Sequence, residues 1–130
     1  MKTQQPQTIH IAIVDNHNGI ADTIAKLAQF SHFVIDIKAY DGHELMKRIA
    51  HCKIKPGICI LELDLEDMDG YKILLVLAQR CPQIMPLVLT DVDNKYAVRQ
   101  ALEYGAAGYL HKHCSAAELT KALRDINDTG

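Results

Sequence analysis

The run Ile58-Cys59-Ile60-Leu61 constrains this chain more than any other stretch. Four apolar residues in a row, introduced by Pro56-Gly57, have no polar face to turn to water. Such a run suits a strand covered on both faces, as in a parallel sheet held between helices. It stops abruptly at acids: Glu62, Asp64, Glu66, Asp67 and Asp69. A buried strand that ends in carboxylates brings charge to one edge of its sheet. In open α/β sheets that carboxyl edge is where ligands bind. Asp69-Gly70 then opens a helix, with Asp69 as its cap.

The same plan repeats along the chain. Further strands are expected at 9–14, 33–37, 87–89 and 108–111. Between them Ile20, Ile24 and Leu27 recur at helical spacing, with Ala21, Ala25 and Ala28 beside them. Asp41 and Glu44 form a capping box, and Leu45 and Ile49 give the helix after it a buried stripe. Tyr71, Leu74, Leu75 and Ala78 share one face of a third helix, which stops before Pro82. A fourth helix over 93–104 carries Ala97, Ala101 and Leu102, and Gly105 ends it. Ser115 and Glu118 box the start of a fifth, with Leu119, Ala122, Leu123 and Ile126 on one face.

Five strands alternating with five helices predict an α/β fold, a doubly wound five-stranded parallel sheet of the flavodoxin-like (βα)5 kind. A chain of 130 residues is expected to form one domain, over 9–126. A domain of that size buries roughly two-thirds of its unfolded surface. The stretch 1–8 reads as a disordered tail, and 127–130 as the start of a linker or a C-terminal tail.

Composition narrows the function classes. A formal net charge of −2 with no basic cluster gives no electrostatic case for nucleic-acid binding by this domain alone. No run approaches a membrane span, and the polar start lacks the apolar region of a secretory leader, so a cytoplasmic protein is expected. Cys52, Cys59, Cys81 and Cys114 are scattered and read as reduced, mostly buried thiols.

The strand ends carry a second pattern. Asp15-Asn16 closes the first strand, Glu62 the third, Thr90 the fourth, and Tyr109 precedes Lys112 at the fifth. With Gly105-Ala106-Ala107-Gly108-Tyr109-Leu110-His111-Lys112, these spacings resemble the receiver domains of two-component response regulators. They are closest to the branch with a C-terminal LuxR-type helix-turn-helix. The resemblance spans about residues 9 to 126. It implies that the residue at position 62 accepts a phosphoryl group. An acidic pair, the acceptor and the backbone carbonyl of Asp64 would hold Mg²⁺. Lys112 would neutralise the phosphoryl oxygens, Thr90 would hydrogen-bond them, and Tyr109 would swing inward behind it.

The chain departs from that pattern where it matters most. The acceptor position holds Glu62 in place of aspartate, and the acidic pair is Asp15-Asn16. A neutral amide weakens a Mg²⁺ site. One extra methylene moves the attacking oxygen by about an ångström, an error that costs about a hundredfold in rate. The expectation is an atypical receiver with no cofactor and weak or absent Mg²⁺. It regulates an output, transcription in a longer protein, by dimerisation or partner binding and without phosphorylation. Glu62 either holds the switch in one state or simply pairs with Lys112. The expected dimer face is the fourth helix, fifth strand and fifth helix, with Lys95, Arg99, Glu103, Tyr104 and Lys121. A histidine kinase and an output domain are the other partners implied.

Two rival functions stay open. The chain can be a receiver that still accepts phosphoryl from a histidine kinase. It can also be a small-molecule-binding flavodoxin-like domain with Asp15, Glu62, Asp64 and Lys112 at its site. No nucleophile–base pair marks an enzyme. His111-Lys112-His113-Cys114 matches no common zinc spacing. Asp15-Asn16-His17-Asn18-Gly19 is similar to the Asp-x-His-x-x-Gly of cobalamin-binding domains, with the glycine one position early. Glu66, Asp67 and Asp69 read as a solvated acidic loop with one helix cap, lacking EF-hand spacing.

Overall fold

The computed structural model describes residues 8–129. The expected tail therefore lies outside the described residues except for Thr8, as does Gly130. The elements are β1 Ile9–Val14, α1 His17–Leu27, β2 Phe33–Ala39, α2 Gly42–His51 and β3 Ile58–Leu61. They continue as α3 Gly70–Arg80, β4 Met85–Thr90, α4 Lys95–Glu103, β5 Gly108–His111 and α5 Ala116–Thr129. The five strands form one sheet in the order β2-β1-β3-β4-β5, every pair parallel.

Strand alternation divides the core in two. Ile58 and Ile60 of β3 join Ile11, Ile13, Leu87 and Leu89 against Ile20 and Leu27 of α1 and Leu119, Leu123 and Ile126 of α5. Cys59 and Leu61 point the other way and join Leu45, Ile49, Ile73, Leu74, Leu77 and Ala101 of α2, α3 and α4. Both faces of β3 are thus buried, which is why its sequence is apolar throughout. At the sheet edge, β2 alternates exposed and covered residues. The sheet reverses its strand order between β1 and β3, and there the chain ends of both strands open toward the candidate site.

The helix signals are satisfied by specific caps. Asn16, Asp41, Asp69 and Asn94 each accept a backbone N–H of the first turn they precede. Ser115 and Glu118 bond each other's backbone N–H at 3.1 and 3.0 Å, a reciprocal box. Glu44 reaches Tyr40 N in place of its own cap residue. Gly105, with φ 107°, ends α4. The N–H of Gly105 bonds Leu102 O and that of Ala106 bonds Ala101 O, closing the last turn from outside.

Five expectations need correction, the simplest being that β2 runs two residues past Ile37 to Ala39. The buried face of α3 is Gly70, Ile73, Leu74 and Leu77, while Leu75 is exposed. The helix is rotated by one residue because Gly70 has to lie against Glu62 O and Leu63, where a Cβ would come within 2.7 Å. Helix α4 begins at Lys95, since Asn94 takes the cap position. Strand β4 is longer than expected, as the ladder with β3 starts at Met85 and includes Pro86. Helix α5 runs on through Asn127 and Asp128 to Thr129, with neither glycine nor proline to stop it. The cysteines are all free. Cys59 and Cys81 are buried, and burial pushes the Cys59 thiol up to about 12.

Candidate functional site

The carboxyl ends of β1, β3, β4 and β5 bring Asp15, Glu62, Thr90 and Lys112 together. Lys112 leaves β5 with its backbone N–H on Thr90 O. Its ammonium lies 2.9 Å from Asp15 Oδ2 and 2.8 Å from Glu62 Oε1. The carboxylates are almost fully buried, at 5% and 7% side-chain exposure. Burial raises the Asp15 pKa, and the hydrogen bonds and charge supplied by Lys112 only partly oppose it. For Lys112 burial acts against the charge, but its bonds to Glu62 and Asp15 outweigh it and raise its pKa. The ammonium is therefore fixed in place, shared by two acids.

The remaining oxygens are held by backbone. Glu62 Oε2 accepts the N–H groups of Leu63 at 2.6 Å and Asp64 at 3.3 Å. Asp15 Oδ1 accepts Asn16 N at 2.7 Å. The Asp15 carboxylate lies over the first turn of α1, in space that a Cβ on Gly19 would enter at 2.0 Å from Oδ2. Gly19, which made the sequence similar to a cobalamin motif one position out of register, is the residue that admits this carboxylate. Lys26 of α1 donates to Lys112 O at 2.6 Å and ties the lysine backbone to the helix.

Asn16 is exposed, and its Oδ1 is used as the cap of α1, 2.8 Å from Gly19 N. Asp64 is exposed too. A Mg²⁺ ion needs oxygen ligands in a near-octahedral set. Here the two buried carboxylates already share an ammonium, and a neutral amide stands where the third anion is required.

Thr90 is fully buried, and its hydroxyl takes Val92 N at 3.3 Å, not the Glu62 carboxylate. Tyr109 packs against the core on the α2–α3–α4 side and donates its hydroxyl to Val92 O at 2.6 Å. Thr90 and Tyr109 therefore both bond the backbone of Val92, a residue that no motif singles out.

The acidic loop holds two caps, not one. Asp69 accepts Lys72 N for α3. Asp67 accepts Gly42 N and His43 N at 3.1 Å each and so caps α2 from another element. Beside it Asn16, His17, Tyr40, Asp41, Asp64, Leu65, Glu66 and Asp67 line a cleft of about 650 Å³. His17 stacks on Tyr40 there, ring centroids 3.8 Å apart. Among the described residues no helix is long and apolar enough to cross a membrane.

Comparison with known proteins gives this geometry a family. A family model described as the response regulator receiver domain matches residues 11–124. The chain is 30% identical over 118 residues to the response regulator protein VraR of Staphylococcus aureus, covering 90% of this chain and 56% of that protein. It is 27% identical over 123 residues to the transcriptional regulatory protein DegU of Brevibacillus brevis, covering 94% and 51%. The chain thus spans about half the length of these relatives. The solved receiver domain of the putative response regulator NarL from Mycobacterium tuberculosis superposes with a TM-score of 0.83 at 26% identity, covering 95% of this chain and 98% of that one. Its fold, the strand-end residues and the span of the family match make this chain a member of the response regulator receiver domain family.

Proposed function

We propose that this receiver signals without accepting a phosphoryl group, because its own lysine closes the acceptor site. The observation that carries this reading is the position of Lys112 Nζ, 2.8 Å from Glu62 Oε1 and 2.9 Å from Asp15 Oδ2. In a working receiver the lysine and the metal neutralise the phosphoryl oxygens in flight. Here the cation is already committed to the two carboxylates. The second oxygen of Glu62 is committed to two backbone N–H groups. Glu62 thus stands in for an acceptor and its charge together.

In this reading Tyr109 is held inward permanently by Val92, and the domain rests in its partner-binding state. Receiver domains work between histidine kinases and output domains. We assign this one an output in transcription, in line with the regulators it resembles. The contact surface is the face of α4, β5 and α5. Tyr96 is its exposed aromatic, at 72%, with Lys95, Arg99 and Glu103 also exposed. Tyr104, half-buried, packs edge-on against Tyr71 at 5.7 Å and forms the inner edge of that surface. Lys121 is engaged by Asp125 on its own helix.

Two measurements test the proposal. Incubation with acetyl phosphate and Mg²⁺ is expected to leave the intact mass unchanged; a stable adduct of one phosphoryl unit would instead support a phosphorylatable receiver. Sedimentation equilibrium is expected to show a dimer that Tyr96→Ala or Arg99→Glu weakens. A monomer at every concentration would remove the contact surface.

A further inference from the structure

A second cluster stands on the rim of the site, where β4 and β5 end side by side. Thr90 pairs with His111 in the ladder, and Asp91 follows Thr90. His111 and His113 flank Lys112 in sequence, and both imidazoles approach the Asp91 carboxylate. His111 Nε2 is 3.9 Å and His113 Nε2 is 3.8 Å from the same atom, Asp91 Oδ1. The two rings lie 4.9 Å apart at 73°. Neither distance is that of a hydrogen bond. Three ligand atoms thus face one another across a gap, all within 4.8 Å.

We propose that Asp91, His111 and His113 form a binding site for a divalent late transition ion, Zn²⁺ foremost. Imidazole nitrogen with carboxylate oxygen suits such ions and not Mg²⁺ or Ca²⁺, which prefer oxygen throughout. A tetrahedral Zn²⁺ with bonds of about 2.0 Å sets its ligand atoms about 3.3 Å apart. Closing from 3.8 and 3.9 Å takes small rotations of exposed side chains. The fourth position falls to water. One internal contact changes: His111 Nδ1 now accepts His113 N at 3.1 Å. Ligation through Nε2 requires the proton on Nδ1, so that contact opens when the ion binds.

Another group of this kind, Asp41, His43 and Asp67, does not compete. Both Asp67 oxygens already cap α2, and one also holds the His43 ring. In the Asp91 cluster the carboxylate has no such duty. Its third ligand also comes from the loop that follows the neighbouring strand, which is why the spacing of His111 and His113 matches no zinc pattern. The position is informative. Asp91 adjoins Val92, whose backbone holds Thr90 and Tyr109. An ion joining Asp91 to His111 and His113 clamps the β4–α4 loop onto the end of β5, beside the buried Lys112 pair. The site goes beyond the phosphorylation-independent reading and does not depend on it.

The test is calorimetric titration of the chelator-stripped protein with ZnCl₂, alongside Asp91→Asn, His111→Asn, His113→Asn and His43→Asn. One ion per chain is expected. Each change in the cluster is expected to weaken binding by at least about tenfold, an effect that loss of even an outer-shell partner can produce. His43→Asn is expected to leave it unaltered. On the unmodified protein, Zn²⁺ is expected to shift the ring resonances of His111 and His113 ahead of the other histidines, which needs no variant to fold. Binding that survives loss of both imidazoles overturns the proposal. So does one ion per two chains, or no heat and no ring shifts.

Discussion

Tyr109 donates its hydroxyl hydrogen to the carbonyl oxygen of Val92 at 2.6 Å. On the other side of the same residue, Val92 N–H donates to Thr90 Oγ1 at 3.3 Å. The β4–α4 loop is therefore held by one residue from each of two neighbouring strands. Lys112 N–H also bonds Thr90 O, so the buried ion pair and the loop share one anchor.

Tyr109→Phe keeps the ring and removes only the donor. It is expected to cost about 1 kcal/mol in urea unfolding, the net worth of one such bond. Hydrogen exchange at the Val92 amide is expected to quicken, with the β4 amides unchanged. If Val92 exchanges at the parent rate, the loop is held by something other than this hydroxyl.

Lys112→Met leaves two buried carboxylates facing each other without a cation. Removing one partner of a buried pair costs about 3–5 kcal/mol, because the charge left behind has lost its water as well as its mate. Adding Glu62→Gln removes one of the orphaned charges, so the double variant is expected to be more stable than the Lys112→Met single. A single variant that costs less than about 1 kcal/mol would mean that water reaches both acids and that the pair is not closed.

The sequence was readable where one residue sufficed to signal an element. The apolar run of β3, the caps Asp41, Asp69 and Ser115, and Gly105 each name their structure locally. Asp15, Glu62, Thr90 and Lys112 were legible as a group through their resemblance to the receiver pattern, and the parallel strands bring their positions to one edge. What was not legible depends on contacts between elements. Asp67 looks like a solvated acid until α2 is placed beside its loop. The face of α3 is set by Gly70 against Glu62 O and not by its apolar count. Val92 contributes backbone, on which sequence is silent. Asn16 looks like a spoiled metal ligand, while its side chain is spent on starting α1.

Asp67 predicts an acid-sensitive cap. Burial works against its charge, but the N–H groups of His43 and Gly42, the His43 ring and Met68 N outweigh it and lower its pKa to about 2. A carboxyl whose folded pKa lies below its ordinary 3.8 contributes stability that is complete above 3.8 and lost as pH falls toward 2. Asp67→Ala is expected to cost about 1 kcal/mol at neutral pH, as loss of a helix cap does. That is about 3 °C in Tm for a domain of this size. The gap between parent and variant is expected to narrow between pH 4 and about 2, as the parent carboxyl takes up its proton. A gap that stays constant down to pH 2 would show that the charge of Asp67 contributes nothing.

The sharpest test of the proposed function rebuilds the receiver pattern at positions 16 and 62. In the double variant Asn16→Asp and Glu62→Asp, the first change supplies an anion without losing the cap. Aspartate caps a helix as well as asparagine does, and the helix N-terminus favours its charge. The second change shortens the acceptor by one methylene, drawing it back from Lys112 and from the N–H groups of Leu63 and Asp64. Asp15 remains as the second carboxylate, and Thr90 and Lys112 remain to meet phosphoryl oxygens. The double variant is expected to bind Mg²⁺ and to gain one phosphoryl unit from acetyl phosphate. Asn16→Asp alone leaves the acceptor tied to Lys112, and Glu62→Asp alone leaves a neutral amide beside the metal. Each single is expected to gain much less, since ion and nucleophile serve one transition state and their effects need not add. Mg²⁺ affinity and labelling are measured on the parent, both singles and the double. If the double folds and stays inert, the block lies beyond these two side chains. The bracket that Thr90 and Tyr109 place on Val92 is then the next element to release.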